Sequence, residues 1–297
     1  MTVLVTGGTG FVGPKVVHAL RAEERPVRIL ARNPDKQDRF KAWGCEVVQG
    51  DMTDAESLRR AADGAEAVVH LVALPPFADP EATKRIMEQG TRDLLSAVEE
   101  AGVRRFVLMS ALGVNERSRD LSAYYHAKWD EEQAVNVSGL EHTIFRPSFI
   151  FGRDGGLLPG LLRLNRFSPV VPVAGTKRFQ PIWVEDVAAY FAAGLSSPAA
   201  VGKTFELGGP DVVTFAEVHE RIRKTLGKRR LGFQVPTGLL KAGASVGRVL
   251  PQFRGAPGAI AMLEFEDNVT DIKPAVETFG IVPIPLDDQL RRATSGG

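Results

Sequence analysis

Cysteine is almost absent: Cys45 is the only one in 297 residues. No internal disulfide can form, and a cysteine-based zinc site is excluded. Histidine is scarce as well. His18, His70, His126, His142 and His219 show neither an HExxH arrangement nor any other paired metal spacing, so no metal is expected and each reads as structural or surface. Neither sign of charge dominates, with 37 Lys+Arg against 36 Asp+Glu for a net charge of +1. Bulk electrostatics therefore points to no nucleic-acid or membrane-surface partner. No uninterrupted apolar stretch approaches the length that spans a bilayer, and the N-terminus carries no basic region followed by a long apolar run. The expectation is a cytoplasmic protein without an integral membrane segment; peripheral association with a larger complex would leave no such mark.

What is present is concentrated at the start. Val3-Leu4-Val5 precedes Gly7-Gly8-Thr9-Gly10-Phe11-Val12-Gly13, and Val16-Val17-His18-Ala19-Leu20 follows. That order reads as strand, glycine turn, helix. Gly7 permits the tight turn, Gly10 lets backbone approach a pyrophosphate, and Gly13 lets helix and strand pack closely. The helix N-terminus then meets the anion with unpaired N–H groups and a partial positive charge.

Strands and helices alternate through the first half. Short apolar runs at 27–30, 46–49, 67–72, 105–109 and 142–146 read as strands buried on both faces of a parallel sheet. Helical spacing lies between them at 56–62, 91–101 and 123–137, with Asp54 placed to cap the first and Gly102 to end the second. Such alternation argues for an α/β fold, a doubly wound parallel sheet of Rossmann type. Residues 1–152 are read as the dinucleotide-binding core. Residues 153–297 are read as a lid at 155–176, a returning helix from Val184, a strand at 203–207, a helix at 215–226 and a smaller C-terminal substrate-side subdomain.

Many NAD-binding folds hold the adenine ribose with an acidic residue at the end of the second strand. Ala31 and Arg32 stand there instead. A planar guanidinium matches phosphate geometry and can fork onto a 2′-phosphate, which favours NADP over NAD; the alternative is a solvated surface arginine. Asp51 follows the third strand, placed to accept from the adenine amino group, or else to serve as a turn or cap aspartate. Tyr124 and Lys128 stand four apart on a helix and project from one face. An ammonium nearby favours the phenolate, lowers the tyrosine pKa, and suits it to proton transfer. Tyr125 competes for the role but lies only three residues from Lys128.

The glycine turn, Gly50-Asp51, Tyr124-x-x-x-Lys128 and Arg146-Pro147-Ser148-Phe149-Ile150-Phe151-Gly152 together resemble the short-chain dehydrogenase/reductase superfamily. More narrowly they resemble its extended and atypical members of the epimerase/dehydratase type. Gln180-Pro181-Ile182-Trp183-Val184-Glu185-Asp186-Val187-Ala188 and Glu206-Leu207-Gly208-Gly209-Pro210 are similar to the branch containing the nucleotide-binding accessory subunit of respiratory complex I. The resemblance covers most of the chain and thins after residue 210.

The resemblance implies that the glycine turn holds the pyrophosphate and that Asp51 and Met52 face the adenine. It implies that Leu71, Val72 and Ala73 line the adenine-side ribose, that Tyr124 and Lys128 flank the nicotinamide, and that Pro147, Ser148, Phe149 and Ile150 contact its amide. The family usually carries a serine or threonine after the fifth strand to orient the substrate. Ungapped alignment puts Ala111 at that place, with Ser110 one residue short of it. The expected function is hydride transfer between NADP(H) and a small carbonyl or alcohol substrate, with Tyr124, Lys128 and Ser110 as the catalytic candidates. The alternative is a non-enzymatic NADP(H)-binding accessory or redox-sensing protein.

Overall fold

Val3 and Val5 bury against one side of a sheet and Leu4 against the other, so β1 (Val3–Thr6) has no face left for water. The same division recurs in β4 (Ala67–His70) and β5 (Arg105–Met109), where alternate residues feed two separate cores. This is why the strands read as continuous apolar runs: both faces are covered by helices. The computed structural model describes residues 1–168, 170–174, 176–228, 231–235 and 266–295. The rest of the expected substrate-side subdomain, chiefly 236–265, lies outside the described residues.

The central sheet has seven parallel strands in the order β11-β6-β5-β4-β1-β2-β3, with β2 at Val27–Ala31, β3 at Glu46–Gln49, β6 at Glu141–Pro147 and β11 at Lys203–Leu207. The chain runs outward from β1 to β3 and then returns to β4 on the other side. The order therefore reverses between β1 and β4, and the region beyond their C-terminal ends is the usual ligand position in such sheets.

Helices α1 (Gly13–Ala22) and α8 (Val184–Ser196) cover one face, with Val16, Val17, Leu20, Val187, Tyr190 and Phe191 in the core. The other face is covered by α3 (Ala55–Ala62), α5 (Gly90–Glu100) and α6 (Ala123–Val137). Asp54 caps α3, its carboxylate accepting from the amides of Glu56 and Ser57 at 3.2 Å each. Ahead of α5 the chain forms a single turn, α4 (Pro80–Thr83), and a wider π-helical stretch at Lys84–Gln89. A small helix, α2 (Asp38–Ala42), precedes β3.

A third cluster belongs to the later part of the chain. Phe151, Leu158, Leu161, Phe179, Trp183, Val213, Val218, Ile222, Leu286 and Leu290 pack together apart from the sheet. The 155–176 segment, expected as an irregular lid, holds instead a ten-residue helix, α7 (Leu158–Phe167), and a strand, β8 (Val170–Ala174). Pro159 stands in the first turn of α7, where no N–H is needed. Short strands β7 (Ile150–Phe151) and β10 (Ile182–Trp183) pair in parallel, and β9 (Arg178–Phe179) and β12 (Val213–Thr214) pair antiparallel, as two small sheets separate from the central one. It also contains α9 (Phe215–Thr225), β13 (Leu231–Val235), which pairs in parallel with β8, and α11 (Leu286–Thr294). Between them α10 (Lys273–Phe279) returns to the main core, burying Ala275 there.

Two glycines of the first turn carry distinct requirements. Gly7 has φ +74°, the left-handed region that penalises other residues. Gly13 faces the turn itself: a Cβ there would lie 2.3 Å from the Gly8 carbonyl oxygen. Gly13→Ala should accordingly lower stability by about 3 kcal/mol, since backbone must move to relieve the overlap. Gly102→Ala, at φ +71° in open space, should lose only about 1 kcal/mol of left-handed strain. Urea unfolding of the two variants compares them directly, and equal losses would contradict the close packing.

Candidate cofactor and catalytic site

The residues singled out from sequence gather at the C-terminal edge of the sheet. Thr9 and Gly10 are exposed at the tip of the glycine turn, while Gly8, Val12 and Gly13 are buried beneath them. The first turn of α1 has no side-chain cap, no acidic residue, and a proline among its leading positions. Pro14 has no N–H and the Lys15 amide donates to Val12 O at 3.1 Å, but no side-chain cap competes for the N–H groups ahead of them, which suits a pyrophosphate. The turn lies hard against the chain after β4: a Cβ on Gly7 would be 2.8 Å from the Leu71 carbonyl carbon and the Val72 nitrogen. Sequence-distant candidates, the glycine turn and the 71–73 segment, are in this way brought together. Phe11 seats its ring on the later layer, where added Cβ atoms on Gly152, Gly155 and Gly156 would meet it at 2.8, 2.3 and 2.9 Å.

After β3, Asp51 accepts from the Thr53 amide at 2.9 Å and the Thr53 hydroxyl at 2.7 Å, both at Oδ1. The Thr53 hydrogen bonds hold its carboxyl below the usual carboxylate value, against burial, and the guanidiniums of Arg32 and Arg85 pull the same way. Arg32 is exposed. Arg85 had no signal in the sequence, since only the turn ahead of α5 carries it to this end of the sheet. Met52 is buried against that same element, with its carbonyl 2.7 Å from where a Gly90 Cβ would stand.

The reactive end differs from expectation in three respects. Lys128 is fully buried and its ammonium is completely engaged, donating to Val72 O at 3.1 Å, Met109 O at 2.8 Å and Glu131 Oε2 at 2.8 Å. Tyr124 is partly exposed, yet burial around its hydroxyl pushes the phenol above its ordinary value, and Tyr125 and Glu131 push it further. The lowering expected from Lys128 is therefore not what this geometry produces, because Glu131 neutralises that charge at close range. Tyr125, its competitor, is buried and donates to Leu112 O at 3.2 Å, with its phenol pushed up to about 12.

Ser110 is the third departure. It continues the alternation of Phe106 and Leu108 toward α6, where it is buried and its hydroxyl donates to Glu132. Glu132 in turn receives Arg146 in a two-point pair at 2.8 and 2.5 Å. Ser110 thus faces α6, and Ala111, next after it, is half-buried.

Pro147 and Ser148 stand at the C-terminal end of β6. The Leu112 amide donates to Pro147 O at 2.9 Å, and the Ser148 amide to Leu207 O at 2.8 Å. Phe149 turns into an aromatic cluster with Phe179 and Phe215 and sits one residue before Ile150 in β7. Asn268, which no motif marked, bridges the two loops: its Nδ2 donates to Leu112 O at 2.9 Å and its Oδ1 accepts from Ser148 Oγ at 2.7 Å.

Beneath this surface runs a buried polar string. Thr91 Oγ1 donates to Glu131 Oε1 at 3.4 Å, so the same hydroxyl accepts from His70 Nε2 at 2.9 Å. That assignment leaves His70 Nδ1 to accept from Thr6 Oγ1 at 2.6 Å. His70 is neutral in this arrangement. Burial, followed by the Lys128 charge, brings its pKa down to about 3. Burial also pushes the Glu131 carboxyl above its usual value, opposed by Lys128 and Thr91.

A doubly wound sheet with an uncapped helix start behind a glycine turn at its switch point defines a dinucleotide-binding protein. Comparison with known proteins specifies which: the chain belongs to the NAD(P)H-binding family, whose model matches residues 7–198. It is 33% identical over 246 residues to the ceramide reductase of Caulobacter vibrioides, covering 82% of this chain and 77% of that one. It is also 33% identical over 229 residues to the mitochondrial NADH dehydrogenase [ubiquinone] 1 alpha subcomplex subunit 9 of Arabidopsis thaliana, covering 73% of this chain and 56% of that protein. Among solved structures, the NADPH-dependent quinone oxidoreductase of Escherichia coli complexed with NADPH superposes with a TM-score of 0.79 at 21% identity, over 97% of this chain and 98% of that one. Among the described residues no helix is long and apolar enough to cross a membrane.

The His70 environment carries a pH consequence. An unfolded histidine takes up a proton below about pH 6.5, whereas folded His70 stays neutral down to about pH 3. The unfolded state therefore binds more protons between those values, and stability falls as pH is lowered through that window. His70→Gln should flatten the dependence of unfolding free energy on pH between 6.5 and 4 by up to one proton, about 1.4 kcal/mol per pH unit. Parallel slopes for variant and parent in urea titrations would show that His70 is protonated in the folded chain.

Proposed function

We propose that this protein is an NADP(H)-dependent reductase that delivers hydride to a small carbonyl substrate, with Tyr124 as the proton donor. The observation that carries this reading is the place of Tyr124: it is partly exposed on α6 at the C-terminal edge of the sheet, and burial of its hydroxyl keeps the phenol protonated at neutral pH, the form a proton donor needs. Reduction needs such a donor at the substrate oxygen, whereas alcohol oxidation would need the phenolate. NADPH, when bound, would supply the hydride. The glycine turn and α1 would bind the pyrophosphate, and the 147–150 segment would orient the nicotinamide amide. Pairing of Ser110 with Glu132 leaves Tyr124 as the one catalytic candidate free to meet substrate. The reductase named among the relatives supports the direction of the reaction, and the substrate pocket would come from residues after 152.

NADP is favoured over NAD because Arg32 stands at the end of β2 and Arg85 approaches the same end from the π-helical turn. Epimerase or dehydratase chemistry with tightly held NAD fits less well with these cations. A second reading, a non-enzymatic NADP(H)-binding accessory protein, draws support from the engagement of Lys128 and Ser110 by buried glutamates and from the likeness to the mitochondrial subunit. Under that reading the chain would associate peripherally with a larger complex; otherwise it would act in the cytoplasm on its own substrate.

Tyr124→Phe separates the two. With a carbonyl panel and NADPH consumption as readout, the substitution should lower kcat about 100-fold or more while the NADPH Kd changes less than about threefold. Unchanged turnover would remove Tyr124 from the reaction. Arg32→Ala tests the cofactor preference by fluorescence titration: NADPH should weaken about tenfold with NADH nearly unaffected. Parallel weakening of both would show that Arg32 does not read the 2′-phosphate.

A further inference from the structure

We infer that Lys128 and Glu131 act as one positioning unit, which sets the cofactor-facing ends of β4 and β5 through the Val72 and Met109 carbonyls while Lys128 itself makes no contact with the nicotinamide ribose. The inference rests on the reading that NADP(H) binds along this edge. It departs from the ribose contact that the family resemblance implies for Lys128.

The geometry is a matter of counting donors. A lysine ammonium has three N–H groups and no acceptor. All three are taken, by Val72 O, Met109 O and Glu131 Oε2, at distances of 3.1, 2.8 and 2.8 Å. Lys128 and Glu131 are both 0% exposed, so no part of the ammonium is open to solvent. A ribose hydroxyl could be reached only by giving up one of these bonds, leaving a buried carbonyl or carboxylate without its partner.

The pair does not end at Lys128. The other Glu131 oxygen accepts from Thr91, and the string continues through His70 to Thr6, the residue before Gly7. Five buried side chains from α6, α5, β4 and β1 thereby fasten the C-terminal ends of three neighbouring strands. Those ends carry the backbone that faces the cofactor: the glycine turn after Thr6, the 71–73 segment after His70, and the 110–112 loop after Met109. Lys128 thus positions the backbone that would line the cofactor, and Glu131 keeps the ammonium where it does so.

Contact and positioning are separated by a cycle between protein and cofactor. NADPH and an NADPH analogue lacking both hydroxyls of its nicotinamide ribose are titrated, by nicotinamide fluorescence, against the full chain, Lys128→Met and Glu131→Gln. The expected result is additivity. Each substitution weakens both nucleotides by a common factor, and the missing hydroxyls change affinity by the same amount, within about threefold, in all three proteins. A hydroxyl effect of tenfold or more in the parent that vanishes in Lys128→Met would overturn the proposal by showing direct contact.

Circular dichroism identifies any variant that does not fold. In that event the parent alone decides the matter by NMR of ¹⁵N-labelled lysine. The slowly exchanging Lys128 Nζ signal should persist at saturating NADPH, and its loss or accelerated exchange would overturn the proposal. Failure of the parent to bind NADPH or NADH is a separate result, visible before any variant is made; it removes the cofactor reading and this inference with it.

Discussion

Between the glycine turn and the end of β4 there is no room for a side chain. The Gly7 backbone lies against Leu71 and Val72 so closely that a Cβ would intrude to 2.8 Å, and Gly13 meets Gly8 more closely still. That approach joins the two strands on either side of the switch point, aims the uncapped start of α1 beyond the strand ends, and brings 71–73 beside it. The sheet order and the gathering of distant candidate residues both depend on it. A residue with a side chain at Gly13 would separate α1 from its turn and spoil the anion site and the packing together.

Under this surface the protein trades apolar packing for a connected polar interior. Lys128, Glu131, Thr91, His70 and Thr6 are all buried and hydrogen-bonded, as are Glu132 and Ser110 nearby. Buried ion pairs add little to stability compared with well-packed apolar residues, but losing one partner leaves an uncompensated charge worth about 3–5 kcal/mol. Such a network therefore contributes fixed geometry more than stability. It keeps the C-terminal ends of three neighbouring strands in register.

The fold was legible because parallel strands buried on both faces announce themselves as short apolar runs, and the glycine spacing marks the first crossover. Helix α6 matches its expected bounds, and β5 and β11 begin and end where their apolar runs do. The 155–176 segment misled because Pro159 and Gly160 at the start of a helix look the same in sequence as loop residues. The site was legible as positions and not as orientations. Tyr124 and Lys128 do share a helix, but Glu131 and Glu132 sit in the run Asp130-Glu131-Glu132-Gln133, which reads as a solvated face. Only the packing of α6 onto the sheet shows both carboxylates buried, one taking Lys128 and the other Ser110 and Arg146. Asn268 and Arg85 belong to elements with no motif, so their approach to the site is a property of the fold alone.

NADP(H) is proposed to lie along the C-terminal edge of the sheet, from the glycine turn to the 147–150 segment. Hydrogen–deuterium exchange of the full chain with and without saturating NADPH tests it most directly. The account predicts slowed exchange at residues 7–13, 71–73 and 147–150, with β3 and α9 unchanged. Saturable NADPH binding that leaves those three segments unprotected, or protects only the layer after residue 152, would contradict it.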